Sequence, residues 1–364
     1  MKTITFTVTN DLTYDQRMQR ICISMVNAGY QVTLIGRKLK TSIELSEQNY
    51  EQKRLTCFFT QGKLFYAEYN LRLFFYLLFI KTSCYCAIDL DTILPNYFAS
   101  VLRSRKRVYD AHELFTEQKE IVTRPVIKKL WLMVETFAVP RFQQGYTVNN
   151  FIVEELQKRY GVHYGIVRNL PKFNPTLPLV DSQNPFIIYQ GAVNEGRSFE
   201  TLIPAMKMVN ARLLICGNGN FMEQVKQLIQ QHGVENKVEL KGMVQPEELR
   251  KITPQAMAAV MLFENTGLNQ YQSLANRFFD YIMAGVPQIC VIYPQYKAIN
   301  DKYNIASLIS DTETVTIAHA LNNLLNDRVY HKSIQQNCLK ARETLNWENE
   351  EKVLIDFYRN LFAN

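Results

Sequence analysis

The chain has 364 residues, 47% hydrophobic and 21% charged, which excludes an intrinsically disordered protein and leaves room for two domains of ordinary size. Its net charge of +7 is lopsided, with +9 on residues 1–180 and −2 on the rest. The most apolar run, residues 73–80, is bounded by Arg72 and Lys81 and is far shorter than the about 20 residues that span a membrane.

Taken in chain order, MKTITFTVTN reads as a strand at 4–8 rather than the apolar core of a signal peptide. Met18, Ile21, Cys22 and Met25 have helical spacing and predict a helix over 15–27, followed by a strand at 31–35. A less regular stretch follows, in which the 73–80 run reads as a buried helix or, with its Phe, Tyr and Leu and basic ends, as a peripheral membrane contact. Strands are predicted at 86–90 and 107–109, flanking a helix at 94–102. A helix over 126–142, a strand at 145–148 and a helix over 151–160 complete the first half.

Residues 169–184 hold three prolines and little periodicity, and read as a linker. Strand–helix alternation then restarts, with strands at 186–189, 212–216, 238–240, 258–262 and 288–292. Helices are expected at 199–208, 221–231, 272–287 and 353–361. Such alternation predicts an α/β chain: two Rossmann-like, doubly wound parallel-sheet domains at 1–168 and 185–345, joined by the linker, and a terminal segment at 346–364. Ligands of such folds bind at the carboxyl ends of the strands, here expected in a central cleft between the domains. Seven cysteines, mostly in apolar runs and without metal-ligand spacing, read as reduced core residues of a cytoplasmic protein.

The most informative stretch is QSLANRFFDYIMAGVP at 272–287. Phe278, Phe279, Ile282 and Met283 supply a buried face, while Asn276 and Asp280, four apart, share another. An anion is favoured at a helix start, expected here around Ser273, Leu274 and Ala275, with Arg277 as an added cation. Asp280, one turn in, suits the hydroxyls of a ribose. An amphipathic helix with a Gly C-cap is the plain alternative.

Other strand ends carry matching chemistry. Gly191 and Arg197 follow the strand at 186–189, where glycine admits a phosphate and arginine stays charged. Gly217 and Gly219 form a G-x-G turn after 212–216, and Val244 closes a Lys-Gly-Met-Val segment. In the first half, Asp110-Ala111-His112-Glu113 ends a strand. Asp89 and Asp91 end another, and could orient acceptor hydroxyls. Asn10, Arg17 and Arg20 lie in the first strand–helix loop, which lacks the glycines of a dinucleotide site; its arginines suit a diphosphate, an acceptor or local salt bridges.

Asn276, Arg277, Phe278, Phe279, Asp280, Tyr281, Met283, Ala284, Gly285 and Pro287 resemble, in that order, the donor-binding signature N-K-L-F-E-Y-M-A-x-G-x-P of glycosyltransferase family 4. The resemblance extends over most of the chain. It implies a GT-B fold and a retaining transferase that moves sugar from a nucleotide diphosphate sugar to a glycan or lipid-linked acceptor, in surface polysaccharide or glycoconjugate synthesis. It further implies that the terminal helix returns to the first domain. His112 would face the donor sugar and, with Arg197, be catalytic. The donor would be held by Gly191, Gly217, Gly219, Val244, Gln272, Ser273, Leu274, Ala275, Asn276, Arg277 and Asp280; Asn10, Arg17 and Asp91 would meet acceptor or diphosphate. No metal or other cofactor is expected, and no nucleic acid. The basic first half suggests an anionic membrane surface, placing the protein in the cytoplasm or at the inner membrane face.

Three positions depart from the family pattern. Ala192 stands where the first phosphate-binding Arg is usual. Gln272 replaces the first Glu of an E-x7-E pair, and Asp280 replaces the second with a shorter acid. They leave open a degenerate transferase that only binds sugar nucleotides or partners; a GT-B sugar-nucleotide epimerase is the remaining rival.

Overall fold

A computed structural model describes residues 1–175 and 184–363. Most of the expected linker, residues 176–183, lies outside the described residues. The chain divides into two compact units, one of residues 1–169 with 350–364, the other of residues 170–349.

The first unit is built on seven strands: β1 (Thr3–Thr7), β2 (Gln31–Lys38), β3 (Glu51–Thr56), β4 (Cys84–Ile88), β5 (Lys106–Ala111), β6 (Gly145–Thr147) and β7 (Gly165–Ile166). Their order across the sheet is β3-β2-β1-β4-β5-β6-β7, every pair parallel. The second unit carries β8 (Phe186–Gln190), β9 (Arg212–Cys216), β10 (Val238–Gly242), β11 (Ala258–Met261), β12 (Gln288–Val291) and β13 (Ala306–Ile309), ordered β10-β9-β8-β11-β12-β13 and again all parallel. Parallel strands covered on both faces carry nearly unbroken apolar runs, as in CYCAI of β4 and AAVM of β11, whose residues are all buried. In each sheet the winding reverses beside the first strand, between β1 and β4 and between β8 and β11. These switch points are where open α/β sheets bind ligands.

Several elements differ from the sequence expectation. The irregular stretch before β4 contains β3 and an 18-residue helix, Gly62–Phe79. Strand β3 is an edge strand of charged and polar residues (EQKRLT), so no apolar alternation marks it. The helix expected over 126–142 ends at Ala138, and Pro140 sits in a 3-10 turn, Val139–Arg141. Residues 272–287 are not one helix. A short helix, Leu268–Tyr271, is followed by an extended link, and the signature helix spans Asn276–Ala284, closed by Gly285 in the left-handed conformation. The final helix is Trp347–Ala363. Its Tyr358 is fully buried in the first unit, edge-on to Phe6 and Tyr146 at 6.1 and 6.3 Å.

Candidate functional site

At the carboxyl edge of the second sheet, two arginines meet around one aromatic ring. Arg277, buried in the first turn of Asn276–Ala284, donates from Nη1 to the hydroxyl of Tyr189 at 2.7 Å and lies over the Tyr189 ring. Its guanidinium is 4.9 Å from the centre of the Phe263 ring, and Arg197 stacks on the same ring at 4.0 Å. Phe263 lies just past β11 and Tyr189 is in β8, so the switch point itself supplies the aromatic floor. Cation–π contacts hold each guanidinium in place, yet among the described residues neither has a carboxylate partner. Arg197 is half-buried, its Nε is buried without a hydrogen-bond partner, and burial together with Arg277 pulls its pKa down to about 10. Two neighbouring cations with spare donors, and no carboxylate partner among the described residues, have the chemistry that suits an anion.

The glycines beside this site act chiefly on backbone packing. A Cβ on Gly217 would sit 1.8 Å from the Gly191 carbonyl oxygen, and one on Gly219 would sit 2.2 Å from that of Val193. The two loops interlock: Gly191 N–H donates to the Cys216 carbonyl, Val193 N–H to Asn218 and Phe221 N–H to Val193. Gly191 itself, at φ +122°, faces Arg277, with Nη1 3.2 Å from where a Cβ would be. The G-x-G turn is therefore a clasp on the loop that leads from Gly191 to Arg197. Val244 turns inward to pack against the cluster of Ile188, Cys216 and Tyr281, while Met243 beside it is exposed.

Helix Asn276–Ala284 begins four residues later than the expected start at Gln272. Ser273, Leu274 and Ala275 form its approach: the Tyr296 hydroxyl accepts from the Ala275 N–H at 3.0 Å and lies 3.3 Å from Ser273 Oγ, and Leu274 packs on the core. Gln272 caps the preceding short helix, and its Oε1 accepts from Gln295. Asn276 is exposed at the first helical position, and Asp280, one turn on, is half-buried. Asp280 accepts from Gln190 Nε2 at 3.1 Å, while Gln190 Oε1 accepts from Thr253 at 2.7 Å, a relay that fixes the carboxylate. Phe263 and Tyr296, which build the floor and anchor the approach, belong to no motif; only the fold brings them in.

The first unit gathers a second cluster at its own switch point. Arg17 and Asp110, both buried, form a two-pronged ion pair at 2.8 Å on each prong. The guanidinium is therefore engaged with a carboxylate and not presented to a diphosphate. Burial would raise the Asp110 carboxyl, but Arg17 and His112 overcome it and hold the pKa down to about 2. His112 lies 3.4 Å from Asp110 through Nε2 and 3.2 Å from Asp89 through Nδ1, and Arg17 also touches Nε2. Burial and Arg17 depress the imidazole, Asp89 and Asp110 raise it, and the raising wins, to about 10. The ring is only about three-quarters covered, which weakens the opposing effect of burial. Asp91 accepts from Thr9 Oγ1 at 2.5 Å; burial, then the charge of Asp89, push it up to about 7. Asn10 is spent locally, donating to Asp15 and accepting from the Leu12 N–H, so it shapes the loop rather than reaching outward. Arg20 donates to Asn169. Among the described residues no group of three or more His, Cys, Asp or Glu gathers as a metal site.

With this geometry in view, residues 177–341 match the family described as Glycosyl transferases group 1. The match falls on residues of the second unit and covers a little under half of the chain. The fold is GT-B: sucrose-phosphate synthase from Thermosynechococcus elongatus superposes with a TM-score of 0.82 at 16% identity, covering 100% of both chains. HepE of Anabaena, solved in complex with UDP and glucose, gives 0.73 at 12% identity, covering 99% of this chain and 100% of its own. In sequence, an uncharacterized glycosyltransferase of Methanocaldococcus jannaschii is 24% identical over 188 residues, 50% of this chain. The matched stretch spans about half of that relative, 46% of its length. The group 1 match contains both arginines of the anion site, its aromatic floor and Asp280.

Proposed function

We propose that this chain transfers a sugar from a nucleotide diphosphate sugar to a hydroxyl of a glycan or lipid-linked acceptor, with retention, in surface polysaccharide or glycoconjugate synthesis. The observation that carries this reading is the Arg197–Arg277 pair on Phe263, two cations without a carboxylate at a switch point of the group 1 domain. A departing nucleoside diphosphate supplies the missing charge. As the bond to the sugar breaks, negative charge grows on the leaving oxygen, and the two guanidiniums hold it without metal or other cofactor. Asp280, fixed by Gln190, takes the ribose hydroxyls. Supporting this assignment, the HepE relative was solved with UDP and glucose. His112, its ring about a quarter exposed at the end of β5, would face the donor sugar, and its charge would act near the reacting centre.

The first unit also offers a surface suited to an anionic bilayer, with no nucleic acid as partner. Helices Gly62–Phe79, Ile93–Leu102 and Pro125–Ala138 are linked by ring contacts, Tyr66 on Trp131 and Phe98 on Phe137. They expose Phe75, Phe79, Phe98, Leu102, Leu130 and Met133, with Arg105, Arg124 and Lys129 exposed among them. No helix among the described residues is long and apolar enough to cross a membrane. From the exposed apolar and basic side chains of these helices we propose a peripheral place at the inner membrane face, on the cytoplasmic side.

Purified protein incubated with a panel of sugar nucleotides, with and without excess chelator, tests the reaction. Slow release of nucleoside diphosphate that survives chelation is expected. Arg197→Ala should lower it about 100- to 1,000-fold, the range for removing one preorganised donor to a developing oxyanion. Binding without turnover across the panel would instead favour a degenerate sugar-nucleotide binder, and interconverted sugar an epimerase.

A further inference from the structure

We propose that Asp89 is a positioning residue for His112, gripping its ring and its backbone together and so fixing which way the imidazole faces. The assignment rests on the reading above that His112 serves the donor sugar. One carboxylate oxygen of Asp89 accepts the His112 backbone N–H at 2.9 Å; the other lies 3.2 Å from Nδ1. The backbone N–H of Asp89 donates to the Asp110 carbonyl at 2.9 Å, so the grip is anchored across the ends of β4 and β5. Asp89 achieves this at φ +56° and ψ 176°, a region of backbone space populated almost only by glycine. A glycine would relieve the strain and lose both contacts to His112.

The groups facing the ring come from every neighbouring element: Arg17 from the helix Gln16–Asn27, Asp110 from β5, and Asp89, with Asp91 beyond it, from the end of β4. Asp110 divides its carboxylate between Arg17, which it holds with both oxygens, and His112 Nε2. Asp89 is the carboxylate that meets both the ring and the backbone N–H of His112. Among the described residues the ring has no other partner on its Nδ1 side.

The test uses Asp89→Asn and Asp89→Gly. Asn keeps the side-chain shape without the charge; Gly suits the backbone conformation and removes the grip. Side-chain NMR of ligand-free protein, titrated between about pH 5 and 11 with His112 assigned through His112→Gln, reads the ring directly. In both variants the His112 pKa should fall by about 1–3 units. Asp89→Gly should melt at or above the wild-type temperature. In donor turnover, kcat should drop about tenfold with KM for the donor unchanged. A His112 that titrates as in the wild type in both variants overturns the assignment. A displaced titration in a protein that turns over no donor keeps the Asp89 assignment and removes the sugar-transfer reading.

Discussion

Two positions carry conflicts that single substitutions resolve. Ser198, next to Arg197, holds φ +58° with its hydroxyl buried and unpartnered. A left-handed side chain costs about 1–2 kcal/mol and glycine's extra freedom in the unfolded chain returns about 0.5–1 of that. Removing a buried, unpaired hydroxyl adds to the gain. Ser198→Gly should therefore stabilise the protein by about 1 kcal/mol, read from the denaturation midpoint; a loss of stability would show that the hydroxyl has a partner in solution. Asp280 makes the opposite case. Asp280→Asn retains an oxygen to accept from Gln190 Nε2, so the fold should survive. In the proposed role it would lose the charge that receives the ribose hydroxyls, worth roughly 1.5–3 kcal/mol, or about ten- to a hundredfold in nucleotide affinity. Asp280→Glu should be milder. Calorimetry and melting on the same variants separate the roles: unchanged affinity in a folded Asn variant removes Asp280 from the site.

At the scale of elements, the interlocked loops after β8 and β9 explain why glycine is required there. Gly217→Ala would drive a Cβ onto the Gly191 carbonyl oxygen, a backbone collision that no rotamer relieves. It should cost about 3 kcal/mol, a fall of roughly 6–12 °C in Tm, and weaken nucleotide binding by moving the loop that carries Arg197. An alanine variant with native melting and affinity would contradict the clasp. The same loops show how far the residues alone could be read. The G-x-G turn, Arg197 and the Asn276–Asp280 face stand in contiguous segments, so their chemistry is visible in order along the chain. What was not legible are the side chains that reach the site from elsewhere. Phe263 and Tyr296 look like ordinary core aromatics until β11 and the helix Pro294–Tyr303 are placed. Arg17 suits a diphosphate, an acceptor or a local salt bridge on sequence alone, because its buried partner, Asp110, is 93 residues away in the chain. Strand β3 is invisible to periodicity because a charged edge strand has no apolar alternation, and the signature helix starts only at Asn276 because Ser273 and Ala275 are held by Tyr296, not by helical bonds.

For the whole molecule, the charge asymmetry acquires a place. The exposed aromatic and aliphatic residues of Gly62–Phe79, Ile93–Leu102 and Pro125–Ala138 should enter an interface only when nearby cations meet anionic headgroups. Co-sedimentation should show binding to phosphatidylglycerol-containing vesicles that fades as the screening length shrinks from about 10 Å at 0.1 M salt to about 3 Å at 1 M. Phe75→Ser with Leu130→Ser should abolish it. Equal uptake by neutral vesicles, or none by either kind, contradicts the proposed surface. The two buried pairings of the first unit also bear on how a growing polypeptide matures on the ribosome. Domains generally acquire structure in the order they emerge. Here the core around Phe6 and Tyr146 lacks one wall until Tyr358 has been synthesised, some 180 residues after the rest of that unit. The segment translated first is thus completed last. Until then its uncovered aromatic rings are a substrate for chaperones, while the unit translated in between can already close.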